Sequence, residues 1–217
     1  MSLLELLVPS ICPACDRPRR PGELLLCPTC ARELRPLRGL GLAVTAVAYE
    51  GVGRSLLRRF KFEGRSDALA VLLEPLAERV RPLGADCIVA VPRHRTRVRE
   101  LGSDPVWTLA RALARKTGLE LCPRVLKRTR PTVPQAGLSI AERQRNVRQS
   151  FRGQRQLRGR RVLLVDDVTT TGATLREAAI ELRRAAKPES VIPVALAGTP
   201  PRTIERPALE TGPRSAL

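Results

Sequence analysis

Residues 161–179 read RVLLVDDVTTTGATLREAA. Four apolar residues run into two adjacent acids, then into threonines, a glycine and an apolar pattern of helical period. A short unbroken apolar run of this kind suits a strand buried on both faces, as strands of a parallel sheet are. Asp166 and Asp167 then stand at the carboxyl end of that strand, residues 168–172 form a tight loop, and a helix begins near Ala173. The first N–H groups of a helix lack intrahelical partners, and with the helix dipole they favour an anion. Thr169, Thr170, Thr171 and Thr174 add hydroxyl donors, and Gly172 allows close approach of the backbone. A phosphate monoester fits such a cradle. Two carboxylates beside it would repel a phosphate unless they hold something else, and the vicinal hydroxyls of a ribose can each donate to one of them. A ribose 5-phosphate accounts for both halves of the stretch. Helix capping alone would need one such residue, not two acids and four threonines.

The rest of the chain supplies a frame for this element. LAVTAVAY (42–49) reads as a strand and VGRSLLRRFKFEG as a helix. SDALAVLLEPLAERV reads as a second helix, with Ser66 as N-cap and Pro75 kinking or splitting it. DCIVAVP (86–92) has the look of a buried parallel strand, followed by a basic loop, RHRTRVRELGSD. The helix PVWTLARALARKTG has Pro105 in its first turn and Gly118 at its end. LELCPRVLK reads as a strand, and a long basic irregular segment precedes the opening stretch. SVIPVALA (190–197) is a last strand. Alternating strands and helices imply an α/β fold, a parallel sheet flanked by helices over residues 41–198. Ligands of such sheets bind outside the carboxyl ends of the strands, so the loops after Pro92 and after Val165 should face one ligand. The Pro- and Thr-rich tail, 199–217, is expected to be disordered.

Residues 1–40 form a separate small unit. Cys12, Cys15, Cys27 and Cys30 make two Cys-Pro-x-Cys turns with eleven residues between them. Two such turns can close a tetrahedral thiolate site, and four sulfur ligands leave no open position, so a zinc ion there should be structural. Cys87 and Cys122 sit alone in apolar runs and suit the core. The chain shows no secretion signal or span of membrane length, which points to the cytoplasm, where thiols stay reduced.

The formal net charge is +18 over 217 residues. Such a field would attract phosphates or nucleic acid. Only four of the 39 basic residues are lysine, and a chain so rich in arginine and so poor in lysine also fits a GC-rich genome as the main cause of the charge. Aromatics at 2% argue against a platform that stacks single-stranded bases. There is no G-x-x-x-x-G-K-[ST] loop and no G-x-G-x-x-G after a strand, because GVGRSL at Gly51 lacks the third glycine.

VLLVDDVTTTGATL resembles the diphosphate-sugar signature of type I phosphoribosyltransferases. CPAC…CPTC, YEGVGRSLLRRFKFEGR, VAVPRHRTRVRELG, QAGLSIAERQRNV and GRRVLLVDDVTTTGATL follow, in order, the pattern of the ComF/GntX family of competence-associated proteins. The resemblance covers roughly residues 3–197. It implies that Asp166 and Asp167 bind the ribose hydroxyls of phosphoribosyl diphosphate, and that Val168, Thr169, Thr170, Thr171, Gly172, Ala173 and Thr174 cradle its 5-phosphate. It places Arg93, His94, Arg95 and Arg97 in the diphosphate-binding loop. Residues 127–146 become a hood over the site, with Arg143 and Arg145 contacting the diphosphate. It further implies magnesium bound with the diphosphate, phosphoribosyl transfer to an acceptor, and DNA or competence proteins as partners. A non-catalytic module that senses a nucleotide or sugar phosphate and binds DNA is the other reading. The family's Arg-Gly-Phe-Asn-Gln after the diphosphate loop is replaced here by Leu101-Gly102-Ser103-Asp104-Pro105. Thr170 stands where several purine-salvage relatives carry an acid, which argues against ordinary purine salvage.

Overall fold

In the computed structural model, residues 11–19, 25–39, 43–129 and 150–200 are described, the side chain of Arg97 excepted. After a short helix, α1 (Pro28–Glu33), the chain runs β1 (Val44–Ala48), α2 (Gly51–Glu63), α3 (Ser66–Val80), a 3-10 turn (Arg81–Leu83), β2 (Cys87–Ala90), α4 (Arg95–Leu101) and α5 (Pro105–Thr117). Then follow β3 (Glu120–Leu121), β4 (Leu126–Arg128), β5 (Phe151–Gly153), β6 (Arg161–Thr169), α6 (Ala173–Ala186) and β7 (Ser190–Gly198). The main sheet has the order β1-β7-β6-β2-β3, with every neighbour pair parallel. β4 and β5 form a separate antiparallel pair.

The period of two along β6 divides the core. Leu163 and Val165 pack with α2, α3 and α5, through Leu56, Leu72 and Leu109. Val162 and Leu164 face the other way, onto Leu175, Ala178 and Leu182 of α6. All of these are 0–2% exposed, so the central strand is apolar on both faces, as its composition requires. Cys87 and Cys122 belong to the α6 side; burial pushes the Cys87 thiol up to about 12, which makes it inert packing.

Residues 35–37 run antiparallel along the outer edge of β1, with Leu37 N–H donating to Ala46 O at 3.1 Å and Ala48 N–H to Arg35 O at 2.9 Å. Arg79 of α3 clamps this edge, donating from Nη1 to Leu37 O and Ala46 O, both at 2.6 Å. The edge backbone is thereby paired instead of left as a template for other chains. Both turns of the cysteine unit join the same apolar cluster as α2 and α3, with Cys12 0% and Cys30 5% exposed.

Several boundaries differ from the sequence expectation. Helix α3 runs unbroken through Pro75, because Leu72, Leu76 and Ala77 are fully buried on either side of it. Two buried leucines contribute about 3–6 kcal/mol, enough to offset the ~3 kcal/mol that an interior proline costs. Ser66 is the first helical residue and Arg65 takes the cap position. The basic segment after Pro92 is helical from Arg95, with His94 as N-cap. The stretch 119–127 is two strands rather than one, parted at Pro123 and at Arg124, whose φ is 55°. Strand β6 extends to Thr169, past the acids. Of the tail expected over 199–217, Thr199 is tied in, its N–H donating to Thr169 O at 2.9 Å, and residues 201–217 lie outside the described residues.

Helix α2 starts hard against β1. A Cβ at Gly53 would lie 2.3 Å from Ala48 O, a backbone atom. Gly53→Ala is therefore expected to cost about 1–3 kcal/mol. Thermal unfolding should show a lowered midpoint, and an unchanged one would mean that the helix can slide.

Candidate functional site

A strand, a helix and the segment after a second strand bring charged side chains together at the carboxyl edge of the sheet. Strand β6 delivers Asp166 and Asp167, which are 8% and 4% exposed. They are held in relation to each other by the Asp167 N–H, which donates to Asp166 Oδ1 at 2.8 Å. The segment after β2 delivers Arg93, whose Nη2 pairs with Asp167 Oδ2. Helix α2 delivers Lys61, with Nζ 2.8 Å from Asp167 Oδ1. Because the sheet order puts β1 and β2 on opposite sides of β6, the two cations reach Asp167 from opposite flanks.

The acids therefore differ. Burial opposes ionisation of both, but Lys61 and Arg93 hold the Asp167 carboxyl below its ordinary range. Among the described residues Asp166 has no such contact; burial first, then the charge of Asp167, pushes it up to about 6. One is a fixed anion, the other a carboxylate that readily takes a proton.

Beyond them, Gly172 caps α6 with φ at 73°, a conformation that costs a glycine little. Thr171 Oγ1 accepts from Ala173 N–H at 3.4 Å. Thr169 is 3% exposed, and its Oγ1 has no hydrogen-bond partner among the described residues. A buried hydroxyl without a partner is costly unless something beyond the described residues completes it. Val168 near the end of β6, Thr170 in the turn and Thr174 in the first turn of α6 are half-buried, and Ala173 is buried.

On the β2 side, His94 Nδ1 lies 3.0 Å from Thr96 Oγ1 and accepts from Thr96 N–H at 3.4 Å. Its ring is thus engaged in capping α4. Arg95 is exposed on that helix. Arg97 lies on α4, and Arg143 and Arg145 fall outside the described residues. At the departure from the family pattern, Asp104 caps α5, accepting from Val106 and Trp107 N–H at 3.1 and 3.2 Å. A hollow of ≈ 440 Å³ opens beside this loop, walled by Val91, Pro92, Trp107, Cys122 and Val125. Sequence reasoning missed Lys61. Its signal was available: it is one of four lysines in a chain where arginine otherwise supplies the positive charge.

The cysteines form a second site. The Sγ atoms of Cys12, Cys15, Cys27 and Cys30 all lie within 4.8 Å of one another, and those of Cys15 and Cys27 are 3.8 Å apart. Bonds of about 2.3 Å in a zinc tetrahedron set the sulfurs about 3.8 Å apart, so the donor set fits. Without a cation the four cannot all ionise. Despite burial, backbone N–H groups bring the Cys12 thiol down to about 7, whereas burial and the neighbouring sulfurs drive Cys30 up. A dication removes that conflict.

Residues 107–211 match the phosphoribosyl transferase domain family. The chain is 33% identical over 183 residues to the DNA utilization protein YhgH of Escherichia coli K12, covering 81% of this chain and 78% of that protein. It is 33% identical over 139 residues to competence protein F of Haemophilus influenzae, covering 59% of this chain and 61% of that one. Among solved structures, the purine phosphoribosyltransferase of Pyrococcus horikoshii aligns with a TM-score of 0.43 at 21% identity, over 63% of this chain and 76% of that chain. Among the described residues no helix is long and apolar enough to cross a membrane.

Proposed function

The chain belongs to the ComF-type family of the YhgH and competence protein F relatives, built on a phosphoribosyl transferase domain, and from that premise we propose that it binds phosphoribosyl diphosphate and transfers the phosphoribosyl group. The observation that carries this reading is the pair of buried, unequal carboxylates beside a threonine-rich helix start. Asp166 and Asp167 accept hydrogen bonds from the ribose hydroxyls. The end of β6 at Val168 and Thr169, the turn through Thr170, Thr171 and Gly172, and the first N–H groups of α6 take the 5-phosphate, with Thr169 Oγ1 as a donor awaiting an acceptor. In the transfer, the bond from the anomeric carbon to the diphosphate oxygen breaks and a bond to an acceptor nucleophile forms. Positive charge develops on the sugar ring and negative charge on the departing diphosphate.

Arg93 stands on the flank where the resemblance places the diphosphate, and preorganised guanidinium groups stabilise charge as it builds there. Arg143 and Arg145 remain candidates for the same task. Magnesium bound with the diphosphate would neutralise its charge, and Asp166 rather than Asp167, which Lys61 and Arg93 already match, would be the carboxylate nearest to hand for it. Calorimetric titration with phosphoribosyl diphosphate and magnesium tests the reading: saturable binding is expected, and none would refute it.

Binding should also depend on pH. Ribose hydroxyls donate to an ionised carboxylate, and Asp166 in the free protein protonates at about 6. The bound sugar favours the ionised form and lowers that value in the complex. Affinity is therefore full above pH 6 and falls as pH drops through it, approaching about ten-fold per pH unit. A flat titration from pH 5 to 8 would remove Asp166 from the contact.

The names of the relatives, DNA utilization and competence, together with the +18 charge, favour a second reading: a sugar-phosphate sensor that also binds DNA. Diphosphate release in the presence of candidate nucleobases separates the two. A sensor binds without release, and its DNA affinity falls steeply with salt.

A further inference from the structure

Helix α2 touches both sites. Toward the cysteine module, Ser55 Oγ donates to Ala14 O at 2.7 Å. One turn on, Arg59 grips Asp16 with both Nη atoms, each at 2.6 Å. Arg65, just past the helix, adds a bond from Nη1 to Asp16 Oδ1 at 2.8 Å and pairs with Asp67. Asp16 is placed by the turn that the thiolate pair closes: its N–H donates to Cys12 O at 2.9 Å, and its φ is 59°. About 200° round from Arg59 on helical geometry, Lys61 points the other way, to Asp167. At its start, α2 is pinned where Gly53 meets Ala48 O. The far end, which carries Arg59 and Lys61, is thus set by what holds Asp16.

We propose that the cysteine module positions Lys61: the metal-bound Cys12–Cys15 turn presents Asp16 to Arg59, α2 is held in place, and Lys61 is kept on Asp167. Loss of the metal lets the end of α2 move, leaves Asp167 matched by Arg93 alone, and weakens the sugar site. The control of affinity, though not the coupling itself, rests on the sugar-diphosphate reading above. Two sites joined by one rigid element affect each other reciprocally, so sugar diphosphate should in turn slow removal of the metal.

The test uses the full zinc-loaded chain, with Arg59→Gln and Asp16→Asn, which spare all four thiolates, beside the chelated protein. Lys61 reactivity toward acetic anhydride is read by peptide mass spectrometry against the exposed Lys187. In both variants, with zinc still stoichiometric, Lys61 should label faster and phosphoribosyl diphosphate should bind more weakly, each by about five-fold or more. In a Lys61→Met background, Arg59→Gln should add no further loss of affinity, and Lys61→Arg should restore part of the loss that Lys61→Met causes. Unchanged labelling in both variants overturns the coupling. Faster labelling with unchanged affinity overturns the control of the site. No binding by the wild-type chain, with labelling still responsive to the variants, sinks the sugar-diphosphate reading and leaves the coupling in place.

Discussion

Cys12→Ser will lose the metal and, with it, the folded cysteine module. The expected effect is large because a structural zinc site contributes about 10–16 kcal/mol of apparent binding energy, and in so small a unit that energy is folding energy. Among the described residues, Ala14, Leu26 and the three buried cysteines are what the module adds to the buried shared cluster. The main domain should survive, since Leu56, Leu72, Leu109 and Leu163 bury against one another and against elements of the sheet domain. Metal analysis should fall from one zinc per chain to a small fraction. Hydrogen exchange should rise for residues 11–19 and 25–34 and remain slow in β6 and β7. Stoichiometric zinc in the variant would refute the four-thiolate site.

Asp166→Asn is expected to abolish tight binding of the sugar diphosphate while leaving stability intact or raised. The amide can still accept the Asp167 N–H through its oxygen, so the local geometry has no reason to change. Burial works against the charge at this position, so removing it relieves a cost in the free protein. What is lost is the charged acceptor for a ribose hydroxyl. A hydrogen bond to a charged group is worth about 1.5–3 kcal/mol, or ten-fold to more than a hundred-fold in Kd. Asp167→Asn is the less clean experiment. It would leave Lys61 and Arg93, whose side chains are 15% and 20% exposed, facing each other without their shared anion. A fall in stability is expected there, with loss of binding on top. Wild-type affinity in Asp166→Asn, measured at pH 8, would refute the ribose contact.

The two aspartates show why a site can be legible and its chemistry not. Their adjacency and place before a threonine-rich turn and a helix start are written in the chain. Their difference is not, because it depends on cations delivered from residues 106 and 74 positions earlier, counted as 167 − 61 and 167 − 93. His94 adds a role that the chain does not spell out: its Nδ1 caps α4. Pro75 invites a break, and buried leucines on both sides carry the helix through it.

By itself the sequence determined the local physics: apolar runs that must be buried on both faces, turns that glycine permits, thiol pairs spaced to share one ion, and hydroxyls gathered at a helix start. These are settled by residues a few positions apart. The tertiary structure decided which distant charges meet. The order β1-β7-β6-β2-β3 puts Lys61 and Arg93 on either side of one carboxylate and sets a single helix between the cysteine module and that carboxylate. Electrostatic pairing depends on distance in space, and a chain carries no record of that until it has folded.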